Sequence, residues 1–297
     1  MVLLEVCCTS LDSALSMLRA GAQRLEICSY LSCGGLTPTW LNLLHPVTFP
    51  PARQQPVTFP PARQQPVTFP TARQQPVTFP SARQQPVTFP TSLQPAAQQP
   101  GISLKEFLEQ THVLIRCRPG NFCYSHAEVE TMCESIRLCR QIGVRGVVIG
   151  ALTSKGDPDL PALSRMIHAA TGVSATTPGP GPATASTADI AIATNPEPRP
   201  LTLVFHRAFD ECRDPFGALE QIINLSFSTI LTSGQAPNAE AGIPMLCQLV
   251  DKAAGRITIM AGKGVTADNV AKIIRQTGVP AVHLSERPGI PEILVRI

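Results

Sequence analysis

Two short stretches of this chain pair a carboxylate with a thiol. They are Leu4-Glu5-Val6-Cys7 and Leu25-Glu26-Ile27-Cys28, 21 residues apart. On a strand, residues two apart share a face, so Glu5 lies beside Cys7 and Glu26 beside Cys28. Thiolates are soft ligands, so a Cys7–Cys28 pair suits a soft metal ion. The carboxylates suit something else. Arg116 in HVLIRC, His206 and Arg207 in LTLVFHRAF, and Asp210 beyond them add charge and proton chemistry. Glu5, Glu26, Arg116 and His206 could line a polar pocket for a small anion, with Arg116 and Arg207 fixing it and His206 or a buried glutamate moving protons. Asp210 would orient Arg207 or a neighbouring helix, or cap a helix. The turn Gly262-Lys263-Gly264 offers backbone N–H groups and a helix N-terminus to a phosphate.

Eight apolar runs carry these residues: LLEVC, RLEIC, HVLIRC, GVVIGAL, LTLVFH, STILTSG, RITIMAG and PAVHLS. Between them run stretches with apolar spacing of three and four: SLDSALSMLRAGA, EVETMCESIRLCRQIG, DPFGALEQIINL, IPMLCQLVDKAAG and TADNVAKIIRQTG. Asp12 and Asp268 fall at expected N-caps, and Gly21, Gly143 and Gly278 at expected C-caps. Strands alternating with helices predict an α/β fold with a parallel sheet, and eight of them a (β/α)8 TIM-like barrel. The sequence after the eighth run, LSERPGIPEILVRI, carries Pro288 and Pro291 and predicts a barrel lacking the final helix.

Alternation then sets directions. Leu4, Val6, Leu25, Ile27, Leu201, Leu203, Phe205, Val282 and Leu284 should face the helices. Glu5, Cys7, Glu26, Cys28, His206, His283 and Ser285 should face the interior. Arg116 follows them inward if Val113 and Ile115 face out.

The chain has 297 residues, 43% of them hydrophobic and 15% charged, enough apolar material for one large core. One barrel domain over 1–297 is expected, interrupted twice. Residues 46–95 are five tandem decapeptides of the form PVTFPPARQQ, and segment 46–100 is expected to be a disordered insertion because proline recurs in every copy. Residues 172–200, rich in Pro, Ala and Thr, read as a loop. The formal charge of +3 is more than covered by four arginines inside the repeats, so there is no basic stripe for nucleic acid. No run is long enough for a membrane span, and the N-terminus lacks a charged leader. Ten cysteines with no CxxC pair point to free thiols in a reducing, cytoplasmic setting, with a nuclear one also open. Cys8, Cys33, Cys133, Cys139 and Cys247 read as packing or surface residues. Homo-oligomer formation is left open.

The chain resembles the CutC copper homeostasis proteins. The likeness runs through LEVCCTSLDSAL, AGAQRLEICS, GGLTP (Gly34–Pro38), FCYS (Phe122–Ser125), GVVIGALTSKGDPD, VFHRAFDECRDPFGALE, LTSGQ (Leu231–Gln235) and IMAGKGVTADN. The resemblance implies a (β/α)8 barrel and a cytosolic protein of copper tolerance that binds Cu(I). The thiols proposed to hold copper match Cys7 and Cys28. The chain departs from the family pattern at Cys33, where an acidic residue is usual, and in Arg116–Phe122, where RCRPGNF replaces RPRGGDF. The repeat array falls where the second helix should run, with SLKEFLEQ as its remnant. The alternative to copper binding is a (β/α)8 barrel enzyme acting on a small anionic metabolite, a phosphorylated one included.

Overall fold

The computed structural model describes residues 2–39, 102–172 and 199–286. The chain divides into two units, Met1–Phe49 with Ile102–Ile297, and Pro50–Gly101. The described residues all belong to the first. The insertion 46–100, nearly all of the loop 172–200, and the tail that bears on a missing final helix lie outside the described residues.

Eight strands close into one parallel barrel in sequential order. They are β1 Leu3–Cys8, β2 Arg24–Ile27, β3 Thr111–Leu114, β4 Gly146–Ile149, β5 Thr202–Phe205, β6 Thr229–Thr232, β7 Thr258–Ala261 and β8 Ala281–Ser285. β8 returns to β1, with Glu5 opposite His283. The helices are α1 Leu11–Arg19, α2 Leu104–Gln110, α3 His126–Ile142, α4 Leu160–Thr171, α5 Pro215–Asn224, α6 Ile243–Ala253 and α7 Val270–Thr277.

The period of two along each strand separates two cores. Leu4, Val6, Leu25, Ile27, Val113, Ile115, Phe205 and Leu284 pack outward on the helices. Inside, Cys7, Cys28, Leu114, Val148, Val204, Leu231, Met260 and Ala281 form a separate apolar layer. Burying one such aliphatic side chain contributes about 1.5–3 kcal/mol, so the outer shell supplies most of the driving force. The inner layer is thin, which leaves room at both of its faces for polar groups.

The capping chemistry corrects two expectations. Ser10, not Asp12, caps α1, its hydroxyl accepting from the Ser13 N–H; Asp12 sits in the first turn, where a carboxylate favours the helix dipole. At α7 the cap position is Asn269, not Asp268. Gly143 and Gly278 do terminate α3 and α7, at φ +86° and +66°, where a side chain would be strained. Gly21 follows the α1 cap, Ala20, by one residue. Helix α4 is a helix beyond those the apolar spacing predicts. Its signals are Asp159, which accepts from the Ala162 N–H, and a proline in the first turn.

Helix α3 begins with a reciprocal box. Ser125 Oγ accepts from the Glu128 N–H at 3.3 Å, and Glu128 Oε2 accepts from the Ser125 N–H at 2.7 Å. Ser125→Ala is expected to destabilise the fold by about 1 kcal/mol in urea denaturation, with the m-value unchanged.

Candidate metal and ligand site

The inward faces of β1, β2 and β8 meet in two tiers. The lower tier centres on Glu5, which is fully buried. Its Oε2 accepts from Arg24 Nε at 2.5 Å, and its Oε1 lies 2.7 Å from His283 Nδ1. Arg24 also reaches the Met260 sulfur at 3.0 Å. Burial would raise the Glu5 carboxyl, but the Arg24 charge and the His283 bond outweigh it and hold it at about 2. For His283, burial works against the imidazolium, and the charges of Glu26 and Glu5 with the Glu5 bond win, so its pKa is raised. His112, the inward residue of β3, stays neutral: burial and then Arg24 push it down to about 3.

The upper tier holds the thiols. Cys7 Sγ lies 2.8 Å from Cys28 Sγ and 3.5 Å from Glu26 Oε1, and both cysteines are free. In register, Cys7 is opposite Glu26. Cys28 is two residues further along β2, yet the barrel stagger brings the two sulfurs to one height. The bond to Cys28, burial and the Glu26 charge raise Cys7 well above an ordinary thiol. Burial raises Glu26 too. Its Oε2 is buried with no partner among the described residues.

Cys7, Glu26 and His283 each present one ligand atom, all within 4.8 Å of one another. The Glu5 contact occupies His283 Nδ1 and leaves Nε2 as the ligand nitrogen. A carboxylate behind a ligating imidazole is the usual way to fix its tautomer and raise its basicity. The donor set therefore fits a metal with sulfur, nitrogen and oxygen ligands.

Above the thiols the barrel opens into a cavity of about 670 Å³, walled in part by Cys7, Glu26, Arg116, His206, Arg207 and Asp210. Cys28 lies behind Cys7 and Glu5 below the floor, so of the expected pocket residues Glu5 alone is not brought to the cavity. Asp210 holds the rim together. It accepts from Arg207 Nε at 3.0 Å, Thr232 Oγ1 at 2.5 Å and the Ser233 N–H at 2.9 Å. It orients Arg207, and the helix-cap alternative falls away, because its carboxylate spans to the end of β6.

A sequence profile of the CutC family matches residues 2–56, 96–178 and 186–288, passing over most of the decapeptide array. The chain belongs to the CutC family. A CutC family protein of Bacteroides fragilis is 33% identical over 290 residues, spanning 97% of this chain and 81% of its own. One from Pasteurella multocida is 33% identical over 282 residues, spanning 95% and 81%. The crystal structure of a CutC protein of Streptococcus agalactiae, named for copper homeostasis, superposes with a TM-score of 0.62 at 24% identity, over 96% of this chain and 98% of that one. That likeness supports the CutC barrel fold.

Arg24 and His112 join this CutC-family interior beyond the residues expected there, and His283 faces inward as expected. The period of two is the signal that could have found the first two, since it sets Arg24 on the face of Glu26 and His112 on that of Arg116. Among the described residues no helix is long and apolar enough to cross a membrane.

Proposed function

We propose that this chain binds one Cu(I) ion between Cys7 and Cys28 and acts in copper homeostasis. The carrying observation is the pair of unbridged sulfurs 2.8 Å apart beneath the cavity. Two thiolates facing each other in a buried setting suit a soft monovalent ion. The raised Cys7 thiol means that binding exchanges a proton for the metal. Glu26 and His283 stand close enough to Cys7 to add a third ligand.

Anaerobic Cu(I) titration against a competing chelator tests this. One-to-one binding is expected, weakened more than about 100-fold in Cys7→Ser/Cys28→Ser. Binding unchanged in that variant, or Zn(II) held in preference to Cu(I), would overturn the reading. A barrel enzyme acting on a small anion is the second reading. It draws on Arg116, His206, Arg207 and Asp210, which a Cu(I) ion between two thiolates does not need.

A further inference from the structure

Arg116 extends the inward row of β3, two residues past Leu114, and is only 7% exposed. No carboxylate pairs with it among the described residues. Its Nη1 donates to the carbonyls of Cys33 at 3.0 Å and Gly35 at 3.1 Å, and its Nη2 to that of Gly120 at 2.8 Å. These use three of its five N–H bonds. One N–H of Nη2 remains, together with that of Nε, which is buried and unpartnered. Three carbonyls solvate the guanidinium without cancelling its charge. A buried charge left in that state is unfavourable unless something neutralises it.

His206, 4% exposed, stands on the same side of the cavity. Its Nδ1 accepts from the Ala208 N–H at 3.1 Å, which places the ring proton on Nε2. Nε2 is buried and also has no partner. Burial, and then the Arg116 charge, hold the pKa at about 3, so the ring is a neutral donor at pH 7. Phe122 joins the two groups: its ring centroid is 4.9 Å from Arg116 Cζ and 4.9 Å from the His206 ring. One aromatic wall thus carries an uncancelled positive charge and a neutral N–H donor. The buried Tyr124 hydroxyl stands beside the guanidinium, and among the described residues no charged acceptor serves either group. The rim charge does not serve, because Arg207 is already paired with Asp210.

We propose that this corner of the cavity binds a small carboxylate with an oxygen on the adjoining carbon, a 2-oxo or 2-hydroxy acid. The carboxylate neutralises Arg116 through its free N–H bonds, and the second oxygen accepts from His206 Nε2–H. A single negative charge matches the one buried cation of the cavity without a carboxylate partner among the described residues, Lys263 being solvent-exposed, and a neutral donor matches a neutral oxygen. The cavity volume lies in the range of small-molecule sites. The inference does not rest on the copper reading, since neither group is a thiol-tier ligand.

Titration of the metal-free full chain with sodium pyruvate tests it, at pH 7 and ionic strength held constant with sodium chloride. The imidazole nitrogen resonances of His206 and the heat of binding are followed together. A saturable one-to-one shift of the Nε2 resonance is expected. Calorimetric affinity should fall about tenfold or more in Arg116→Lys, which keeps the charge but loses the N–H set. It should fall comparably in His206→Asn, whose side-chain oxygen still accepts from Ala208 while the Nε2 donor is gone. The second variant guards against loss of the loop that Arg116 holds. The Cys7→Ser/Cys28→Ser variant should bind pyruvate as the parent does, so failure of the copper reading and failure of this one are separable. No saturable shift, affinity unchanged from the parent in both folded variants, or tighter binding of inorganic phosphate than of pyruvate would overturn the proposal.

Discussion

Glu5→Gln is expected to destabilise the barrel by about 3–5 kcal/mol, the range for stripping one partner from a buried ion pair. The substitution keeps the shape of Glu5 and removes its charge. Arg24 and His283 would then face a neutral amide in a place water does not reach, 2.5 Å and 2.7 Å from where the carboxylate oxygens stood. Urea denaturation of the single variant and of Glu5→Leu/Arg24→Met separates the two meanings of such a loss. If the damage is an orphaned charge, the double variant recovers much of it, since apolar replacement of both partners is often neutral. A single-variant loss under about 1 kcal/mol would show that the pair contributes no more than a surface bridge. The pH dependence has a definite sign. Glu5 is held below its ordinary value of 4.5, at about 2, so its contribution is full above 4.5 and is lost as pH falls through about 2.

Gly242→Ala is expected to be comparably damaging for a steric reason. A Cβ there would lie 1.8 Å from the Ser233 carbonyl oxygen and 3.2 Å from Gly234 Cα. Both obstacles are backbone, so no rotamer change relieves them. A loss of about 3 kcal/mol is expected, the upper end of the overpacking range. Because Ser233 anchors Asp210, a local change in the Arg207 environment should accompany it. Gly278→Ala is the contrast. Nothing lies within 4 Å of its Cβ position, and only its φ of +66° penalises alanine, by about 1 kcal/mol. Equal losses for the two variants would sink the steric account.

Much of the site was legible because strands impose a period that sequence cannot hide. Leu4 and Val6 against Glu5 and Cys7 fix which face is apolar, and the same contrast recurs at Leu25 to Cys28. His206 and Arg116 followed from it. Partners were not legible, because they depend on stagger and closure. Cys7 and Cys28 are not register partners, and only the tilt of the strands brings their sulfurs together. The Glu5–His283 contact joins positions 278 apart, and nothing local announces it. Arg24 was not singled out, because a lone arginine at a strand start gives no sign that it will reach Glu5. Helix α4 was missed because LPALSRMIHAAT has a proline in its first turn and runs straight into the Pro/Ala/Thr-rich segment. Cap identity at α1 and α7 turned on one-residue shifts that apolar spacing does not resolve.

The ring of strands is sealed where β8 meets β1, at the two ends of the described chain. Pairing at that distance in sequence carries the largest loop-closure entropy in the fold, so the seam is among the last parts to form. The three groups placed to hold a metal belong to β1, β2 and β8. Before the seam closes, Cys7 and Glu26 stand on an open sheet edge without His283, and Glu5 has only Arg24. The thiol pair needs only β1 and β2, but His283, which could add a third donor and gives Glu5 its second partner, arrives only with the final strand, so a barrel without β8 offers Cys7, Cys28 and Glu26 and a finished one adds the imidazole.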